Sequence, residues 1–221
     1  MTRRSAIFLM LALLCLPSDN ARADAARDVG SLQDAAAHTR EEFVHGMAQM
    51  TLAILQDTKK PFADRKIVLR NAFGTVVDID WIARFVLGRA WNTASDAQRQ
   101  RYTELYHTFL TESYVSNFAE DPDKRIKDIK ILGLQDAEDS AFIVNTDMML
   151  ADMEDYRVDY RVSDHEGKYK VIDIVIENVS LLATHRSQFG ELVASRGIDG
   201  LIAKLEAINN RRDHTISLSM K

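Results

Sequence analysis

A change in hydropathy period near residue 125 constrains this chain more than any other feature. Before it, apolar residues recur three, four or seven apart. After Asp121-Pro122-Asp123 they recur at every second position. The first spacing lines one face of a helix and the second one face of a strand. Helical pattern returns only after the strands, so no helix lies between strands to carry parallel crossovers. The order predicts an α+β domain, with helices packed on one face of an antiparallel sheet.

The helical part divides at its punctuation. Val29, Leu32, Ala36, Phe43, Met47, Met50 and Ile54 mark one long helix from about residue 28 to 57. Lys59-Lys60-Pro61 ends it, and Pro61 starts a second helix with Phe62, Leu69, Phe73 and Val76 on one face. The stretch "DIDWIARFVLGRAWNTAS" is a third helix, opened by Asp78 and closed by Gly88. Ser95-Asp96-Ala97-Gln98 is a capping box for a fourth, which aligns Tyr102, Tyr106, Phe109, Ser113 and Phe118. Residues 126–135, 140–150, 154–163 and 168–178 read as four strands, with His165-Glu166-Gly167 as the last turn. Two further helices are expected at about 185–195 and 199–210, and a loose tail over 213–221.

The N-terminus reads as a secretory leader. Arg3 and Arg4 precede an unbroken apolar run from Ala6 to Leu16, and Ala21-Arg22-Ala23 fits an A-x-A cleavage site. The run is too short to span a bilayer, and cleavage is expected after Ala23. The one cysteine, Cys15, lies in that leader, so the exported domain, residues 24–212, must stand on its apolar core without disulfides. Loss of Arg3, Arg4, Arg22 and Asp19 with the leader takes the formal net charge from −5 to −7. That balance, with no basic run, argues against nucleic acid as a partner.

The chemical inventory is thin. No phosphate-binding glycine loop, dinucleotide fingerprint, nucleophile elbow or zinc-protease motif occurs. His38, Glu41, Glu42 and His45 have metal-like spacing on the first helix, but they read as a solvated polar face opposite the Phe43–Met47 stripe. His107 reads as a partly buried, hydrogen-bonded core residue rather than a general base. Asp147 and Asp173 sit among apolar neighbours, where a carboxylate can act as an acid or base. Alternation places both opposite the apolar faces, which points them outward and away from the cost of burial. What remains is apolar surface: strand faces of Phe, Val, Met, Tyr and Ile, helices with aromatic stripes, and the adaptable Met47, Met50, Met148 and Met149. The residues alone leave a filled core and a ligand cavity equally open.

"VVDIDWIARFVLGRAWNTASDAQRQRYTELYHTFLTESY" and "VIDIVIENVSLLATHRSQFGELVASRGIDGLIAKL" resemble the MlaC family of periplasmic phospholipid-binding proteins, in order, over about residues 50 to 210. The resemblance implies a curved four-stranded antiparallel sheet covered by helices, similar to the NTF2 shape with additional helices. It implies a monomeric carrier holding acyl chains between sheet and helices, with no catalytic residues and no cofactor or metal. Its implied partners are a phospholipid, an inner-membrane ABC transporter complex with an MCE-domain ring, and an outer-membrane lipoprotein–porin complex. Related members are associated with hopanoids, and a small exported NTF2-like enzyme is the competing class. On this reading the lipid-facing candidates are Ile82, Phe85, Val86, Tyr106, Phe109, Phe142, Val144, Met148, Val158, Tyr160, Ile172, Ile174 and Ile176. Arg84, Arg89 and Arg186 are rim candidates for a phosphate, with solvated surface as the plainer alternative.

Overall fold

The computed structural model describes residues 39–57, 59–117, 126–150, 154–165 and 168–219. The leader, His38, Phe118, the Asp121-Pro122-Asp123 turn and Glu166-Gly167 lie outside the described residues, as do 220–221 of the tail.

Helix α1 (Arg40–Gln56) begins later than its apolar period suggests. Thr39 is extended and closes a capping box with Glu42: Glu42 N donates to Thr39 Oγ1 at 3.2 Å, and Thr39 N to the Glu42 carboxylate at 3.1 Å. Two otherwise orphaned amides are thereby satisfied, so this helix begins at Arg40; the stretch expected from about residue 28 to 38 lies outside the described residues. Helix α2 (Phe62–Val76) follows Pro61. Helix α3 (Ile79–Leu87) is capped by Asp78, which accepts from Trp81 N, and is closed by Gly88 at φ 58°, a conformation that favours glycine. After the short α4 (Arg89–Thr93) comes α5 (Asp96–Asn117), and its Ser95/Gln98 capping box forms as expected.

The sheet is an open antiparallel meander in the order β1 (Ile126–Ala137), β2 (Ala141–Leu150), β3 (Tyr156–His165), β4 (Lys168–Ile176) and β5 (Val179–Ser180). The two-residue β5 adds one strand to the four expected and leads directly into α6 (Leu181–Ser219). Gly197, at φ 69°, breaks the helical path of α6, so the two expected helices abut without a loop. The second runs on to Ser219, past residue 210.

The apolar strand faces turn toward the helices. Val144 pairs with Tyr160, and Tyr160 with Ile174, so three strands place these side chains in one row. Helix α1 packs on β1 and α2, α2 on α5 and β4, and α6 on β4, α3 and α5. Two groups of buried side chains result. The larger joins α3, α5 and α6 to Phe142, Val144, Val162 and Val171; the smaller joins Ala48 to Ile126, Ile129, Met148, Leu150 and Val158.

Candidate functional site

A cavity lies between these two groups. Helix α1 contributes Val44, Met47, Ala48, Met50 and Thr51, and α2 contributes Leu69, Ala72, Phe73 and Val76. Tyr114 comes from α5, and the sheet supplies Ile129, Ile131, Thr146, Met148, Tyr156, Val158, Tyr160, Val171, Ile174 and Ile176. The empty space, its mouth included, is about 930 Å³. A smaller recess of about 290 Å³ shares Phe73, Val77, Tyr114, Val171 and Ile174 with it and extends toward Ile82, Ile172, Asp173 and His185.

Among the described residues, no charged side chain lines the main cavity. The threonines there turn their hydroxyls into the backbone: Thr51 Oγ1 donates to Met47 O at 2.9 Å and Thr146 Oγ1 to Val158 O at 2.5 Å. Tyr156 OH is 2.9 Å from Met148 Sδ. Burial holds the Tyr114 and Tyr160 phenols well above their ordinary pKa, so both stay neutral. The wall can exclude water and accept hydrocarbon. It offers no ion pair to a charged group.

The structure distributes the expected lipid-facing residues unevenly. Met148, Val158, Tyr160, Ile174 and Ile176 line the main cavity, while Ile82, Ile172 and Ile174 line the recess. Val86, Tyr106, Phe142 and Val144 are at most 2% exposed and lie in the packed core instead. Phe109 packs beside them on Tyr106, His185 and Phe189. Phe85 faces out, 36% exposed and stacked on Trp81 at 5.1 Å. Helix α3 is two-sided: Ile79, Ile82, Ala83, Val86 and Leu87 are buried, and Phe85 shares the exposed side with Asp80, Trp81 and Arg84. Helices α1 and α2 supply nine of the 21 lining residues, none of them among the expected lipid-facing set. The stripe through Met47 and Met50, and the one through Leu69, Phe73 and Val76, were the signals available.

The bulge between Arg161 and Val162 changes the expected β4 face. Val162 pairs with Val171 and Arg161 with Asp173, leaving Ile172 as the extra residue. Ile172 therefore leaves the row of Ile174 and Ile176. Asp173 is not turned to solvent as alternation suggests. It accepts from Ser180 Oγ at 2.6 Å, Leu182 N at 3.0 Å and Ile174 N at 2.8 Å, holding the start of α6. Asp147 stays opposite the cavity face, paired in register with Lys130 and Arg157. Arg186 donates to Phe85 O at 2.8 Å and covers the Phe85 ring, Arg84 lies over Trp91, and Arg89 is exposed; none of the three lines the cavity. His107 is partly buried and hydrogen-bonded as expected, to Asp80 at 2.8 Å, though at the rim of the helical layer and not in the core. The described residues contain no cluster suited to a metal ion.

An antiparallel sheet and a helical layer that part around an uncharged cavity define an α+β fold with an internal apolar site. Such a fold has a solved counterpart. The structure of a phospholipid-binding protein from Ralstonia solanacearum, in complex with a phospholipid, matches at a TM-score of 0.62 and 20% sequence identity, covering 85% of this chain and 97% of that one. At the level of sequence, the family model described as MlaC protein matches residues 45–207, and the chain belongs to the MlaC family.

Proposed function

We propose that this protein is a soluble periplasmic phospholipid carrier that moves lipid between outer-membrane and inner-membrane transport complexes and so maintains outer-membrane lipid asymmetry. The observation that carries this reading is the uncharged cavity walled by both layers of the fold. Membership of the MlaC family supports it, and so does the phospholipid held by the Ralstonia solanacearum protein of like fold. Each methylene removed from water contributes about 0.8 kcal/mol, so two chains of roughly 16 carbons represent about 25 kcal/mol against aqueous transfer. A dry pocket that resembles the bilayer interior cancels most of that barrier while leaving loading and unloading near balance. The leader expected over residues 1–23 would deliver the chain to the periplasm, and no helix among the described residues is long and apolar enough to cross a membrane. Membership of the MlaC family and the phospholipid-binding neighbour support binding rather than catalysis as its function. Its partners on this reading are an MCE-domain ABC transporter complex and a lipoprotein–porin complex.

Transfer of a fluorescent phospholipid between donor and acceptor vesicles tests the reading. The mature chain should accelerate transfer, and Ile174→Trp, which fills the space beside Tyr160, should slow it severalfold with the fold intact by circular dichroism. A wild-type chain that leaves the spontaneous rate unchanged would sink the carrier role.

A further inference from the structure

Three of the six tyrosines direct their hydroxyls to partners within the protein. Tyr102 OH donates to Ala83 O at 3.0 Å, Tyr106 OH bonds His185 Nδ1 at 3.1 Å, and Tyr156 OH meets Met148 Sδ. The hydroxyls of Tyr114 and Tyr160 bond no described residue, and both side chains line the main cavity. Both rings are fixed. Tyr114 stacks on Phe73, with ring centres 5.3 Å apart and planes 20° apart. Tyr160 sits mid-strand between Val144 and Ile174. One phenol enters from the helical wall and the other from the sheet, close enough to influence each other electrostatically.

A phenol in an apolar wall without a partner is a standing cost, and a fold seldom keeps two of them in one cavity. The partner must be an acceptor, because each phenol retains its proton. It must also be uncharged, because no cation lines the cavity to offset desolvation of an anion. An acyl carbonyl oxygen meets both conditions and sits at the head of an alkyl chain. A diacyl lipid brings two.

We propose that Tyr114 and Tyr160 are the polar anchor of the cavity, donating hydrogen bonds to acyl carbonyl oxygens and selecting acylated lipids over hydrocarbon ligands that lack them. This rests on the carrier reading. It places the ester region of a glycerolipid inside the cavity beside these rings, with the charged headgroup outside the apolar wall. Ether-linked lipids offer only weaker ether-oxygen acceptors and polycyclic hydrocarbons offer none, so both bind less well.

The test is a competition. The delipidated mature chain is incubated with an equimolar mixture of dipalmitoyl phosphatidylglycerol and its dihexadecyl ether analogue, with free palmitate in a parallel sample. Bound species are read by native mass spectrometry. A hydrogen bond changes binding by roughly two- to tenfold, so two should favour ester over ether by about tenfold or more. In the Tyr114→Phe/Tyr160→Phe variant the ratio should fall to near one, through loss of ester lipid and not gain of ether lipid. Thermal stability should be unchanged or slightly raised, since no protein hydrogen bond is removed. Palmitate should bind more weakly than the diester, as it carries one chain and one carboxyl group; tighter palmitate binding would overturn the diacyl assignment. A wild-type ratio near one, or a preference that survives in the double variant, would overturn the anchor alone. Uptake of no lipid by the wild type would overturn the carrier reading together with it.

Discussion

His185 lies where aromatic rings converge. Its ring is parallel to Phe189 within 6° and packs against Phe109 at 5.3 Å, and its Nδ1 takes part in the bond to Tyr106 OH. Burial pushes its pKa below the ordinary histidine value, and the nearby Asp173 only partly opposes this. The folded state therefore binds the proton less readily than the unfolded chain. Stability from this site is complete above about pH 6.5 and declines as pH falls through that value toward the folded pKa, at no more than about 1.4 kcal/mol per pH unit. Urea unfolding at pH 7.5 and 5.5 should show a larger loss in the wild type than in His185→Gln; equal losses would detach the histidine from acid sensitivity. The same cluster marks where residue-scale reading of the sequence stopped. Helical spacing correctly turned Tyr102, Tyr106 and Phe109 inward, but it carries no information on whether an inward ring meets another side chain or empty space. Tyr106 meets His185 and Phe189, whereas Tyr114, two turns further on, meets the cavity.

At the scale of elements, caps were more legible than faces. Asp78, Gly88 and the Ser95/Gln98 pair mark their helix ends as expected, because each supplies a local hydrogen bond or dihedral that no distant contact must provide. The Thr39/Glu42 box was masked by apolar spacing that continues upstream of it. The β4 bulge was not legible, since Ile172, Ile174 and Ile176 keep perfect alternation through it. Asp173 shows the consequence. At that bulge, it accepts from the Leu182 amide in the first turn of α6 and from the hydroxyl of Ser180, which in turn accepts from Ala183 N at 3.0 Å. Asp173→Ala should destabilise the fold by about 1–2 kcal/mol through the loss of this cap, with lipid retention unchanged. An acid–base role would instead leave stability alone and abolish a chemical turnover. Chemical unfolding alongside lipid extraction separates the two.

At the scale of the whole molecule, the change of period did specify the layers: helices, a meander of strands, then helices, with one apolar side of the sheet covered. It did not specify the void. A filled core and a cavity demand the same alternation and the same stripes, and the difference lies in how far α1 and α2 stand from β1–β4. Here the buried side chains form two groups with open space between them, and Met47, Met50 and Met148 line that space with flexible, apolar side chains. The central claim is that this space holds lipid. Native mass spectrometry of the purified mature chain, with lipid extraction from the same sample, tests it most directly. The account expects a bound mass that extraction identifies as a diacyl phospholipid. A clean apo mass, unchanged after incubation with phospholipid vesicles, would contradict it.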